Sequence, residues 1–224
     1  MPLMKENWWK ILAVILVIYS IVGGFLLDVP ALPILNETIR NLYFHVTMWF
    51  GMMIILLISV IYSIKHLSNA DIKNDIIASE AANVGIFLGI LGILTGMIWA
   101  QFTWGDWWVN DPKLNGAAIT LLIYLAYLVL RNSMDEEQKR GKVAAVYNIF
   151  AYIMLIVFLM ILPRMTDSLH PGNGGNPGFG GYDLNDNMKL VFYPAIIGFT
   201  LIGVWIMNIR VRLKILNRKI LFND

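Results

Sequence analysis

Residues 81–105 read AANVGIFLGILGILTGMIWAQFTWG, a run of 25 without Asp, Glu, Lys or Arg. At about 1.5 Å of rise per residue, such a run crosses the ~30 Å hydrocarbon core of a bilayer as a helix. Lipid offers backbone N–H and C=O groups no partner, so a helix is the only form an isolated run of this kind can take there. Five similar runs lie on either side of it, at residues 11–27, 41–64, 114–130, 143–163 and 190–209. They predict an all-α integral membrane protein, with residues 1–224 forming a single domain of six transmembrane helices.

Composition agrees with this. Hydrophobic residues make up 58% of the 224 and charged residues 14%, against about half and about a quarter in a soluble chain. There is no cysteine, which excludes disulfides, thiolate metal sites, thiol nucleophiles and covalent C-x-x-C-H haem attachment. The first run follows Lys5 and Lys10, as a signal-peptide core would. Residues 28–33 offer no small-residue cleavage site, so the run reads as a retained first span.

The basic residues divide unevenly between the two sides. Lys5, Lys10, Lys65, Lys73, Arg131, Lys139, Arg140, Lys142, Arg210, Arg212, Lys214, Arg218 and Lys219 fall on one side, and Arg40, Lys113, Arg164 and Lys189 on the other. The positive-inside rule then places both termini in the cytoplasm. The segments at about 28–40, 101–113 and 164–189 face outward, which in a bacterial inner membrane is the periplasm. The spans carry no charged residue in their interiors, which counts against proton-coupled pumps. No convincing internal repeat supports the usual transporter plan.

Three histidines are present. His66, beside Lys65, reads as a solvated residue of a cytoplasmic loop. His45 lies at the outer start of the second span, and His170 in the last outward segment. Each reads either as an interfacial hydrogen-bonding residue or, with the other, as a pair of ligands to haem iron. A zinc site would need further ligands, for which Asp111 and Asp167 lie on the same side. The middle outward segment packs Trp99, Trp104, Trp107 and Trp108 into ten residues. This is either an aromatic belt at the headgroups or an apolar platform for a planar ligand. Gly85, Gly89, Gly92 and Gly96, at steps of four, three and four, share a helix face that suits close helix packing or close approach of a cofactor. Residues 172–181 are glycine-rich and read as a mobile loop.

Three motifs carry a resemblance. The run from Trp104 through Gly105, Trp107, Trp108 and Asp111 to Leu114 resembles the tryptophan-rich WWD signature, W-G-x-W-W-x-W-D-x-R-L, of haem-handling membrane proteins. Arg40, Tyr43, His45 and Val46 are similar to the R-x-x-Y-x-H-V motif of the same proteins, and Ser168-Leu169-His170 to their S/T-L-H motif. Asn110 and Lys113 stand where the signature has Trp and Arg. Six spans with the Trp segment between the third and fourth resemble the cytochrome c maturation protein C family, also called haem exporter protein C.

The resemblance implies a non-enzymatic protein that holds haem b at the periplasmic face and passes it to a membrane-anchored haem chaperone. Its implied partners are ABC transporter subunits and a small single-span membrane protein. It also implies His45 and His170 as axial iron ligands and Trp104, Trp107 and Trp108 as a platform. Asp111 would shape the loop and Arg40 would meet a haem propionate. Two rivals remain on the residues alone. One is a b-type cytochrome subunit of a quinone oxidoreductase, and the other a small-solute carrier.

Overall fold

The computed structural model describes residues 2–32, 34–170 and 184–222. Among these the regular structure is all helical, with no strand. The helices are α1 (Pro2–Leu26), α2 (Leu42–Asn69), α3 (Ile72–Trp104), α4 (Pro112–Asn132), α5 (Glu137–Ile156), α6 (Leu162–Met165) and α7 (Asp186–Phe222). A 3₁₀ turn, Asn36–Asn41, leads into α2, and a π-helical turn, Val157–Ile161, joins α5 to α6. Counted with that turn, α5 and α6 make one span, so six helices are long and apolar enough to cross a membrane. The glycine-rich stretch at 172–181 lies outside the described residues.

The helices overrun the apolar runs, and the overrun is where charge enters the bundle. α2 and α3 are separated only by Ala70 and Asp71. Ala70 takes the left-handed conformation and its N–H bonds His66 O at 2.8 Å. Asp71 then caps α3 by accepting the N–H of Lys73 at 2.9 Å. So tight a turn forces α3 to run antiparallel along α2, and these two helices form the largest interface of the bundle. α5 and α7 also pack on α2, and α4 closes against α3 and α5. α1 lies at the edge, chiefly against α7, and turns Ile11, Ile15, Ile18, Val22 and Phe25 outward.

This turn also overturns the expectation for His66. It is not a solvated loop residue: it occupies the last turn of α2, is fully buried, and donates from Nδ1 to Asp71 O at 2.9 Å. The apolar run ends at residue 64, but the helix continues to Asn69, and α3 and α5 pack over it. Around it sits a charged layer. Arg131 donates to both carboxylate oxygens of Asp75 at 2.7 and 2.6 Å, and Arg210 reaches Glu80 at 2.6 Å. Asn148 donates to Ser59 and Ser63 at 2.7 and 2.9 Å. A buried charge such as that of Asp75 persists when paired in the bidentate way that Arg131 provides. These charges sit just beyond the apolar runs, so the spans keep their uncharged interiors.

Candidate functional site

The opposite end of the bundle holds a cleft of about 1070 Å³, counted with its open mouth. α2 contributes His45, Trp49 and Met53 to its wall, α3 contributes Gly96 and Trp99, and α4 contributes Lys113 and Leu114. Leu159 and Met160 of the π-helical turn, Pro163, Trp108 and His170 complete it. Pro163 lacks the N–H that an α-helix would bond one turn back, and the turn just before it is the π-helical one. Such π turns concentrate at functional sites.

His45 sits in the first turn of α2. Its Nδ1 lies 2.9 Å from Gly92 O, so the ring must donate there, with Thr95 Oγ1 nearby at 3.3 Å. Trp99 and Trp49 flank it edge-on, with ring centroids at 5.8 and 6.3 Å. Trp99 is fixed in turn by its indole N–H, which donates to Thr38 Oγ1 at 3.1 Å. The glycine face of α3 explains how α2 comes so close. A Cβ at Gly85 would meet Leu56, at Gly89 Met52, at Gly92 Trp49, and at Gly96 the His45 ring at 2.6 Å. The stripe is therefore a helix-packing face whose last member also borders the cleft.

His170 comes from the segment after α6. Its Nδ1 lies 2.9 Å from Asp111 Oδ1. Asp111 is almost completely buried and gathers the whole S-L-H motif: its Oδ2 accepts Ser168 Oγ–H at 2.9 Å and the Leu169 N–H at 2.7 Å. Its Oδ1 also accepts the Lys113 N–H at 2.8 Å, capping α4. Burial pushes the Asp111 carboxyl up, but the hydrogen bond and charge of His170, with the Leu169 N–H and the Ser168 hydroxyl, outweigh it and hold the group well below the usual carboxylate range. Trp104 packs against the His170 ring at 4.9 Å.

The two histidines thus share a construction. Each donates from Nδ1 to an oxygen, and neither Nε2 takes a hydrogen bond from a described residue. An imidazole held in this way presents the other nitrogen as a ligand, with its tautomer fixed. No three His, Cys, Asp or Glu side chains cluster as a metal cage would among the described residues.

The other expected site residues divide. Trp108 borders the cleft and donates from its indole to Asn115 Oδ1 at 3.3 Å. Trp107 is exposed and outside the wall. Arg40 is also outside it: its Nη1 donates to Gly24 O and Leu27 O at 2.9 and 2.6 Å, and its Nε pairs with Glu37 at 2.5 Å. It closes the C-terminal end of α1, where a cation is favoured. Trp99, a member of the tryptophan cluster singled out in the sequence, borders the cleft, whereas sequence reasoning missed Trp49. The signal for Trp49 was present, since it follows His45 by one helical turn.

Comparison with known proteins gives a consistent picture. A Heme exporter protein C from Paracoccus denitrificans is 24% identical over 189 residues, covering 83% of this chain and 76% of the relative. One from Rhodobacter capsulatus is 23% identical over 224 residues, 95% of this chain and 87% of the relative. A cytochrome c biogenesis protein CcsA from Prochlorococcus marinus is 39% identical over 85 residues, 38% of this chain and 27% of the relative. The family model described as Heme exporter protein C matches residues 3–223. With that match running almost end to end, the chain belongs to the Heme exporter protein C family.

Proposed function

We propose that this protein acts in cytochrome c maturation by binding haem b in the cleft and presenting it to a membrane-anchored haem chaperone. The single observation that carries the reading is the pair His45 and His170. They reach one apolar cleft from separate parts of the chain, each with Nδ1 anchored and Nε2 available. Haem brings iron with two axial positions, and His45 and His170 would fill them. Trp99, Trp49 and Trp108 supply aromatic walls, and Trp104 steadies His170.

The propionate role assigned to Arg40 from the resemblance suits Lys113 better, because Lys113 borders the cleft and the Arg40 guanidinium is held by α1 carbonyls. Arg40 then supports the site from behind, by fixing the 3₁₀ turn that leads to His45. No bond-making group is needed for this task, so the protein serves as a carrier rather than an enzyme. The excess of basic residues at the ion-paired end supports a bacterial inner-membrane protein whose cleft faces the periplasm. ABC transporter subunits and a small single-span protein fit as its assembly partners.

The test is an absorption titration of purified protein with haemin, oxidised and dithionite-reduced. The parent should give sharp low-spin b-type bands. His45→Ala and His170→Ala should each lose them or release haem at least tenfold faster. Equal spectra and release in the parent and both variants would refute the axial assignment. Rapid reversible reduction by quinol would favour the cytochrome-subunit rival.

A further inference from the structure

α5, with Leu130 of α4, borders a second, open concavity at the ion-paired end, distinct from the histidine cleft. It is a groove of about 770 Å³, counted with its open side, lined by Leu130, Lys142, Val143, Val146, Tyr147 and Phe150. Its floor is fixed: the Tyr147 hydroxyl donates across to Ile123 O of α4 at 3.2 Å, and the Tyr147 and Phe150 rings pack at 5.9 Å. At 100° per residue, positions 139, 142, 143, 146 and 150 fall within an arc of about 100° on α5. Lys139, Lys142, Val143, Val146 and Phe150 are all exposed on it. Two cations at the start of a helix thus stand directly above an apolar stripe that descends toward the membrane centre. Neither lysine makes an ion pair with a described residue, whereas the nearby Glu137 is taken by Arg218. Asp135 and Glu136 lie one turn before Lys139, outside the groove.

From this juxtaposition we infer that the α4–α5 groove is a binding site for an anionic phospholipid, with an acyl chain along Val143, Val146 and Phe150 and the headgroup phosphate at Lys142 and Lys139. Charge and apolar surface are arranged in the order in which such a lipid presents them, and basic pockets between transmembrane helices on the cytoplasmic side hold anionic headgroups. A partner helix fits less well. Helices that pack in membranes approach through small residues, and this groove is walled by Leu, Val, Tyr and Phe. Long lysine stems also let the ammonium groups reach the headgroup level.

The test is native mass spectrometry of the detergent-purified chain. It is incubated with phosphatidylglycerol or with phosphatidylcholine of the same acyl chains, in parent, Lys139→Gln/Lys142→Gln, Val146→Trp and Lys219→Gln forms. The parent should retain phosphatidylglycerol over phosphatidylcholine by tenfold or more. Each lysine should contribute about fivefold, the equivalent of the ~1 kcal/mol of a cation near an anionic surface. The double variant should fall to the phosphatidylcholine level, and Val146→Trp should lower retention of both lipids by filling the groove. Lys219→Gln, whose charge lies on α7, should retain phosphatidylglycerol like the parent. Circular dichroism confirms that each variant is folded. Equal retention of the two lipids, a double variant that binds like the parent, or a co-purifying protein lost only in Val146→Trp would overturn the proposal.

Discussion

His45 and His66 lie on the same helix, at opposite ends of α2, and locally they are built alike. Each donates from Nδ1 to a backbone carbonyl of the neighbouring helix or its cap, Gly92 O and Asp71 O, both at 2.9 Å. Each presses on a glycine of another helix: a Cβ at Gly96 would meet His45 at 2.6 Å, and one at Gly141 would meet His66 at 2.5 Å. Their surroundings differ. His45 borders an apolar cleft with tryptophans and a second imidazole. His66 is fully buried, its Nε2 has no partner, and the carboxylate of Asp75 approaches the same Gly141 face. The same ring in the same hydrogen-bonded form thus borders a cleft at one end and is sealed into the packing at the other. What distinguishes them is the space that neighbouring helices leave, which no local feature of α2 sets.

The sharpest way to break this contrast is at the ion-paired end. Arg131→Met leaves the Asp75 carboxylate buried without its bidentate partner, and removing one member of such a pair costs about 3–5 kcal/mol. Thermal unfolding in detergent should fall accordingly. A variant as stable as the parent would mean that this layer does not hold the bundle together.

At the cleft end, the corresponding change is Asp111→Asn. It removes the anion that orients His170, and loss of such an outer partner typically costs ~10–100-fold in affinity for the bound metal group. Haem retention should drop by that factor while thermal stability moves less than in Arg131→Met. The pH dependence has a definite sign. The folded Asp111 group is held below its ordinary value, so its contribution is complete above about pH 3.9 and is lost only as the pH falls through the lower folded value. Between pH 7 and 4 the difference in tryptophan fluorescence between parent and Asp111→Asn should therefore stay constant. A difference already half lost near pH 4 would show that Asp111 titrates normally.

The smallest effects should come from the two glycines, and they compare the ends directly. Gly96→Ala pushes on the His45 ring and should weaken haem binding several-fold with little change in stability. Gly141→Ala pushes on His66 and should lower stability by about 1–3 kcal/mol, as overpacking does, with the haem spectrum unchanged. Haem titration and thermal unfolding of both variants read the two outcomes. A spectral change in Gly141→Ala would couple the two ends and remove the distinction between them.

The six spans were legible because a bilayer imposes its thickness on the sequence: each needs an uncharged run of fixed length, and those runs stand out from 81–105 outward. The glycine face of α3 was legible for a similar reason, since helical periodicity is local. His45, His170, Trp108 and Asp111 could be singled out by residue type and motif. The sequence could not say that Asp111 holds His170, because the two are joined only by the packing of the segment after α6 onto the start of α4. Nor could it assign Arg40 to the end of α1 or seal His66 beneath α3 and α5. The sequence alone determined which segments span the membrane, since transfer from water to lipid is a property of each segment by itself. Tertiary structure alone decided which imidazoles face a cleft, because burial and hydrogen-bond partners depend on what distant segments bring to the same place.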